Sequence, residues 1–192
     1  MTQDQSKVTA LARISADIVS SDITPNLRST ATGLVFGTGN VDADIIFIGE
    51  APGAKEDLLG EPFVGAAGKF LNELLSSIGL NRADIYITNI VKYRPPGNRD
   101  PVRGEIEAFK PYLMQQIDVI RPKVVALLGR HSMNVFLPEL KISEAHGVPV
   151  KQDTLVYLPL YHPAAALYNP GMRQTLKDDF ASIPALISKS KK

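Results

Sequence analysis

The chain of 192 residues contains no cysteine and no tryptophan. Without cysteine it can form no disulfide, no thiolate metal site and no thiol nucleophile. It also lacks an apolar run of the roughly 18 residues that a membrane helix needs. The N-terminal segment Met1-Thr2-Gln3-Asp4-Gln5 has neither the basic nor the apolar region of a signal peptide. We therefore expect a cytoplasmic protein that does not associate with membranes.

An excess of charge of either sign is also missing. The chain has twenty-one Lys and Arg residues and twenty Asp and Glu residues, so its formal net charge is +1. This balance neither requires nor excludes nucleic acid as a partner, because binding needs local positive charge. Lys92, Arg94, Arg99 and Arg103 form one such local cluster, and Arg121, Lys123 and Arg130 another, although a solvated surface would explain either group equally well.

The apolar fraction is 44% and the charged fraction 21%, as in an ordinary globular protein. The length is most simply explained by one domain over residues 1–192, with a frayed tail at about 188–192. We expect a monomer.

Apolar runs that alternate with helical periodicity predict the fold class. The predicted strands cover 44–48, 85–90, 123–128 and 155–158, and the predicted helices cover 4–20, 66–77, 103–119, 130–136 and 173–187. Residues 22–40 read as a long irregular connection. This order predicts an α/β protein, a three-layer α/β/α fold with a central parallel four-stranded sheet.

The stretch 44–70 holds the densest set of functional signals. The apolar run 45–48 stops at Gly49, and Glu50 follows at the carboxyl end of the predicted strand, where open α/β sheets bind ligands. A Gly-rich loop with free backbone N–H groups comes next and is interrupted by Phe63. The stretch therefore predicts a cavity lined by an acid, an aromatic ring and backbone donors.

Two more polar residues belong at the same edge of the sheet. Asn89 ends the second predicted strand, and His162 follows the fourth. Each of the four residues has a structural alternative: Glu50 as a helix cap, Phe63 as core, Asn89 as a turn residue and His162 as a surface histidine. Together they offer an acid for water, a ring for stacking, a carboxamide for a base edge and an imidazole for an anion.

Other motifs do not fit. Residues 65–70 lack the spacing and the Ser or Thr of a P-loop. The three histidines are too scattered for a zinc site. We expect no metal and no cofactor.

Five short motifs follow one another along the chain: Gly49-Glu50-Ala51-Pro52-Gly53, Glu61-Pro62-Phe63-Val64-Gly65, Thr88-Asn89, Arg94-Pro95-Pro96-Gly97-Asn98-Arg99 and His162-Pro163-Ala164-Ala165. In sequence and in order they resemble the motifs of the family 4 uracil-DNA glycosylases. The resemblance extends from about Val35 to Pro170. It implies removal of uracil from single- or double-stranded DNA, with free uracil as the product.

The resemblance also assigns roles to residues. Glu50 would position or activate the attacking water, and His162 would donate to the uracil oxygen that gains negative charge. Phe63 would stack on the extruded base and Asn89 would bind its polar edge, with backbone N–H groups near Ala51 and Gly53 as further contacts. DNA contacts would come from Lys92, Arg94, Arg99, Ala164 and backbone groups of the Gly-rich loop. In the last motif of the family a bulky residue usually wedges into the vacated base stack. Ala166 holds that position here, and we favour the adjacent Leu167 as the wedge, with a place in the core as its alternative.

The chain departs from the family in one respect. Family members carry an iron–sulfur cluster on four cysteines, whereas Tyr93 and Phe109 occupy the last two of these positions, and Ser21 and Thr24 are candidates for the first two. An iron–sulfur cluster without thiolates is not feasible. We hypothesise that packing of Tyr93 against Phe109 replaces it.

A related branch of the family captures uracil covalently through a histidine in an inserted loop. Here Tyr93 continues directly into Arg94-Pro95-Pro96 without such an insertion, so turnover is expected. Two alternatives stay open: a DNA-binding or uracil-DNA-binding module without catalysis, and a nucleoside hydrolase or phosphotransferase on the same topology.

Overall fold

The structure of the protein, a computed structural model, describes residues 3–189. The predicted tail lies partly outside this range, and the last helix continues to Lys189. Within the described range, none of the helices has both the length and the apolar character needed to cross a membrane.

A six-stranded sheet with the order β1-β3-β2-β4-β6-β5 forms the centre of the molecule. Its strands are β1 (Thr38–Gly39), β2 (Ile45–Gly49), β3 (Tyr86–Asn89), β4 (Val124–Leu128), β5 (Val150–Gln152) and β6 (Leu155–Leu160). The four central strands, β3, β2, β4 and β6, are parallel, as predicted. β1 and β5 extend this core as antiparallel edge strands. The sequence did not predict them, because two or three residues are too few for a recognisable alternation.

Helices cover both faces of the sheet, which confirms the three-layer prediction. They are α1 (Gln3–Ser21), α2 (Pro25–Arg28), α3 (Ala54–Leu59), α4 (Ala66–Ser77), α5 (Arg103–Ile120), α6 (Arg130–Phe136), α7 (Ile142–Ala145), α8 (Ala165–Tyr168), α9 (Met172–Phe180) and α10 (Ile183–Lys189). Successive side chains of a strand point to opposite faces. In β2, Ile46 and Ile48 therefore pack in the cluster that contains residues of α1 and α5. Ile45 and Phe47 pack in the cluster that contains residues of α4, α9 and α10.

Two segments differ from the sequence prediction. The single closing helix predicted over 173–187 is divided into α9 and α10. The reason is Pro184, which has no backbone N–H to continue the hydrogen bonds of α9 and is tolerated only in the first turn of a helix, where it lies in α10. The Gly-rich segment after β2 contains the short helix α3, whose six residues are too few for a clear helical period.

The strand order also locates the site. The connection that leaves β2 leads to β3, toward the β1 edge of the sheet. The connection that leaves β4 leads to β6, toward the opposite β5 edge. Such a reversal opens a crevice beyond the carboxyl ends of the two strands, which is where α/β sheets of this type bind ligands. Here the crevice lies beyond Gly49 and Leu128.

Candidate active site

A cavity of about 470 Å³ opens at the carboxyl edge of the sheet. Glu50, Phe63, Asn89 and His162 all line it, so the structure brings together the four side chains that the sequence grouped. Four further candidates also line the cavity: Ala51, Gly53, Arg99 and Ala164. The cavity also includes Glu56, Asp100 and Tyr168, which the sequence did not single out.

Glu50 follows the last residue of β2 and is partly buried. Burial raises the pKa of its carboxyl group. The nearby Asp100 also raises this pKa, whereas His131 and Arg130 lower it. The Nε2 atom of His131 lies 3.9 Å from Oε2 of Glu50. The candidate acid is therefore surrounded by charged groups that the sequence did not associate with it.

The position of Asn89 depends on a glycine in the neighbouring strand. Asn89 is buried and is paired in register with Gly49. A Cβ atom at Gly49 would lie 2.4 Å from Oδ1 of Asn89 and 2.7 Å from the Phe63 ring. Both distances are far below van der Waals contact, so only glycine lets the amide and the ring approach each other here.

Phe63 is held in an unfavourable backbone conformation. Its φ angle is +54°, a left-handed value that costs a non-glycine residue on the order of 1–2 kcal/mol. Arg82 fixes this turn, because its guanidinium donates to the carbonyl oxygens of Phe63 at 3.1 Å and Pro62 at 2.7 Å. The ring is thereby directed to the cavity, with its centroid 5.5 Å from that of His162.

His162 is arranged as a neutral hydrogen-bond donor. Its Nδ1 atom accepts a hydrogen bond from the Ala164 backbone N–H at 3.2 Å. In a neutral ring the proton must then lie on Nε2, which leaves that N–H free to donate. Burial lowers the pKa of His162 to about 4, and Glu56 opposes this shift. The imidazole is thus uncharged at neutral pH.

Two acidic side chains of α3 hold the loops around the cavity. Oε1 of Glu56 accepts from the backbone N–H groups of Val64 at 3.0 Å and Gly65 at 2.8 Å. These two N–H groups are therefore not available to a ligand, contrary to the expectation of free donors along the Gly-rich loop. Asp57 accepts from the backbone N–H and the hydroxyl of Thr32. It thereby fixes the long connection over residues 22–40.

Lys92 does not lie at the surface, and the prediction that it contacts DNA phosphate is wrong for this structure. Its side chain is 0% exposed. The ammonium group donates to Oγ1 of Thr88, the backbone oxygen of Asn89 and Oε1 of Gln116, at 2.6, 2.7 and 2.6 Å. Burial lowers its pKa well below the ordinary value. Lys92 instead holds the backbone of Asn89 through the hydrogen bond to its carbonyl oxygen.

Two arginines of the first predicted basic cluster do lie in the loop beside the cavity. Arg94 is partly buried and its Nε donates to Oδ1 of Asn98. Arg99 is exposed, and its guanidinium forms a two-point contact with the Glu105 carboxylate at 2.9 and 2.6 Å.

The segment after His162 presents two large side chains to solvent. Leu167 is 43% exposed, whereas Ala166 is buried. Leu167 does not line the cavity, but the next residue, Tyr168, does, and it is 89% exposed. An exposed aromatic residue beside a cavity is a signal that the sequence alone does not give, because α8 is only four residues long.

The positions that correspond to cluster cysteines do not fit an iron–sulfur group. The buried rings of Tyr93 and Phe109 pack edge to face, with centroids 6.0 Å apart. Ser21 shares a hydrogen bond with the Tyr112 hydroxyl. In the part of the chain that the structure describes, Oγ1 of Thr24 is buried without a hydrogen-bond partner. None of these side chains supplies the thiolate that such a cluster requires.

Comparison with known proteins agrees with this geometry. The family described as the Uracil DNA glycosylase superfamily matches residues 36–183. The chain is 47% identical over 173 residues to the type-4 uracil-DNA glycosylase of Archaeoglobus fulgidus, covering 85% of this chain and 87% of that protein. It is 48% identical over 162 residues to the type-4 enzyme of Saccharolobus solfataricus, covering 79% and 75% of the two chains. It is 39% identical over 170 residues to the type-4 enzyme of Thermotoga maritima, covering 85% and 88%. With a family match across most of its length and relatives of this similarity, the chain belongs to the uracil-DNA glycosylase superfamily and, within it, to the type-4 uracil-DNA glycosylases.

Proposed function

We propose that this protein is a DNA-repair enzyme that removes uracil from DNA by hydrolysing the N-glycosidic bond, which leaves an abasic site. The observation that carries this proposal is the single cavity lined by Glu50, Phe63, Asn89 and His162. It offers an acid, an aromatic face, a carboxamide and a neutral imidazole donor within one space.

Uracil reaches this cavity only after it leaves the base stack. A base inside a duplex is inaccessible, and extruding it costs a few kcal/mol. Phe63 provides the face on which the extruded base stacks. Leu167, exposed on α8 beside the cavity, fills the space that the base leaves behind.

Asn89 gives the site its selectivity for uracil. Its carboxamide can donate to O4 and accept from N3–H of uracil. Cytosine presents an amine at position 4 and a bare N3, so the same carboxamide orientation leaves both partners unpaired. Buried groups left unpaired reject a near-isostere strongly. Gly49, Phe63 and the Lys92 hydrogen bond hold Asn89 in place for this reading.

Glu50 and His162 act on opposite sides of the bond that breaks. As the bond between the sugar C1′ and uracil N1 lengthens, its electron pair moves onto the base and positive charge develops on the sugar. The Glu50 carboxylate stabilises the sugar cation and accepts the proton of the water that attacks C1′. The Nε2–H of His162 donates to the uracil oxygen that becomes negative, and a preorganised donor of this kind strongly favours the transition state. Protein groups and water account for these steps.

Contacts to the DNA strand come from the rim of the cavity. Arg94 and Arg99 are the side chains for phosphate, and Ala164 and Leu167 lie along the strand. The enzyme acts as a cytoplasmic monomer on uracil in single- or double-stranded DNA and releases free uracil.

The test is release of uracil from a labelled oligonucleotide that contains one deoxyuridine. We expect release by the parent protein, slowed by roughly a hundredfold or more in Glu50→Gln and in His162→Ala. Glu107→Gln, an exposed carboxyl change on α5, is the control and should retain the parent rate.

Two results would point to other functions. Tight binding of the oligonucleotide without release would indicate a catalytically inactive binding module. Rapid hydrolysis of free deoxyuridine would indicate a nucleoside hydrolase.

A further inference from the structure

Three ionisable side chains lie near Glu50 at the crevice where the strand order reverses. Asp100 belongs to the proline-rich loop after β3, and Arg130 and His131 are the first two residues of α6, which follows β4. Oδ2 of Asp100 lies 3.0 Å from Nε2 of His131 and 3.2 Å from Nη2 of Arg130. This cluster is distinct from the four groups to which the uracil chemistry was assigned.

The start of α6 is fixed relative to His162. Gly129, the residue before α6, has a φ angle of +90°, and a Cβ atom there would lie 3.2 Å from Cβ of His162. Its backbone N–H donates to the Leu160 carbonyl in β6 at 2.8 Å. These contacts fix the first turn of α6, and with it the backbone of His131, relative to His162.

The contacts of His131 depend on whether Nε2 carries a proton. Nε of Arg130 lies 3.1 Å from this atom, and an arginine can only donate. A bare Nε2 therefore accepts from Arg130. A ring protonated at Nε2 donates instead to Asp100. If Nδ1 carries a proton as well, the ring is cationic and adds a second positive charge, besides Arg130, near the Glu50 carboxylate at 3.9 Å.

The ligand atoms of Glu50, Asp100 and His131 lie within 4.8 Å of one another, a spacing that a divalent cation could also bridge. Arg130, however, already contacts both Asp100 and His131. Its permanent positive charge repels a metal ion from this position. The structure therefore favours a network of protein charges here.

We propose that His131 and Asp100 are positioning residues that hold the Glu50 carboxylate ready to accept the proton of the attacking water, with Arg130 joining the two. This inference rests on the proposed glycosylase function. The loop that carries Asp100 also carries Arg94 and Arg99, so the network joins the loop proposed to contact DNA to Glu50, the proposed general base.

The two positioning residues should act on Glu50 in opposite directions. Positive charge on His131 favours the ionised form of Glu50, whereas the negative Asp100 favours the protonated form. Other ionisable groups face these residues and stay unchanged in the variants below. Those lining the cavity are Glu56, Arg99, His162 and Tyr168, and those beside His131 on its far side are Arg103, Glu107 and Lys110.

The experiment is a pH profile of single-turnover uracil release for His131→Gln and Asp100→Asn. Loss of the positive charge in His131→Gln should raise the pKa of Glu50 and move the acidic limb of the pH–rate profile to higher pH. Loss of the negative charge in Asp100→Asn should lower this pKa and move the limb to lower pH. We expect the maximal rate of His131→Gln to fall about tenfold to a hundredfold, as for a misplaced catalytic group, with little change in the Kd for uracil-containing DNA. Asp17→Asn, an exposed charge change on α1, should leave the profile unchanged.

A second measurement keeps this inference separate from the proposed function. The titration of the Glu50 side-chain carboxyl carbon, followed by NMR in the three proteins, reports its ionisation without any turnover. An inactive parent would overturn the glycosylase proposal, while opposite shifts of the Glu50 titration would still support the network. The network proposal would be overturned if the acidic limb of the pH–rate profile and the Glu50 titration stayed unchanged in both variants. It would also be overturned if they shifted in the same direction in both.

Discussion

Lys92 is fully buried, which is rare for a lysine. Its ammonium group lies within hydrogen-bond distance of three oxygen atoms, those of Thr88, Asn89 and Gln116. An ammonium has three N–H donors to match them, but transfer from water disfavours the charged form. The balance lowers the pKa of Lys92. The residue thus supports Asn89 at a cost in folding free energy that depends on pH.

This cost can be measured by comparing the parent with Lys92→Met. A lysine whose pKa is lower in the folded than in the unfolded state binds fewer protons when folded, so stability rises with pH between the two values. The free energy of unfolding of the parent, relative to Lys92→Met, should therefore increase between about pH 7 and pH 10. Urea denaturation of both proteins across this range measures the difference.

The exposed Lys110→Met is the matched control and should show a stability difference that is nearly independent of pH. If the stability difference between the parent and Lys92→Met were also independent of pH, burial would not disfavour the charged form of Lys92.

Among the elements, the connection over residues 22–40 is the one that we hypothesise to be held by aromatic packing on helix α5 in place of an iron–sulfur cluster. Asp57 holds the connection through Thr32. Tyr93, which follows β3, packs edge to face on Phe109 of α5. Buried aromatic rings in such contact contribute large apolar areas and a favourable ring geometry. We therefore assign the stabilisation of this region to aromatic packing.

Phe109→Ala should destabilise the protein by about 3–5 kcal/mol, the usual cost of deleting a buried phenylalanine ring. Urea denaturation measures this loss, and limited proteolysis should show faster cleavage within residues 22–40. Phe180→Ala is the control, because Phe180 is equally buried but packs on Phe47 on the other face of the sheet.

Two outcomes would contradict the aromatic replacement. One is a Phe109→Ala protein as stable as the parent. The other is stoichiometric iron in the purified parent protein.

At the scale of the whole molecule, a net charge of +1 gives no general attraction to DNA. Binding must come from cations placed beside the cavity, and the burial of Lys92 removes one candidate. Arg99 lines the cavity and is exposed, although its guanidinium also contacts Glu105. It is therefore the strongest remaining side chain for a phosphate.

Arg99→Ala should make DNA binding less sensitive to salt. Each phosphate neutralised by a protein cation contributes about 0.9 to the slope of log K against log salt on duplex DNA. We expect the slope to decrease by about one unit, as measured by fluorescence anisotropy over a series of salt concentrations. Arg13→Ala, an exposed charge change on α1, should leave the slope unchanged, and an unchanged slope in Arg99→Ala would exclude that residue from phosphate contact.

The sequence by itself determined the parallel core of the sheet and the four residues grouped at its carboxyl edge. Runs such as Ile45–Ile48 are apolar and β-branched, and the acid, amide and imidazole come at the ends of such runs, so local pattern alone places them at one edge. The tertiary structure decided what surrounds them. Lys92 is buried and bonded to Gln116 of α5, and Asp100 and His131 lie near Glu50 because the strand order places β3 and β4 on either side of β2. These outcomes depend on contacts between residues distant in the chain, about which local periodicity carries no information.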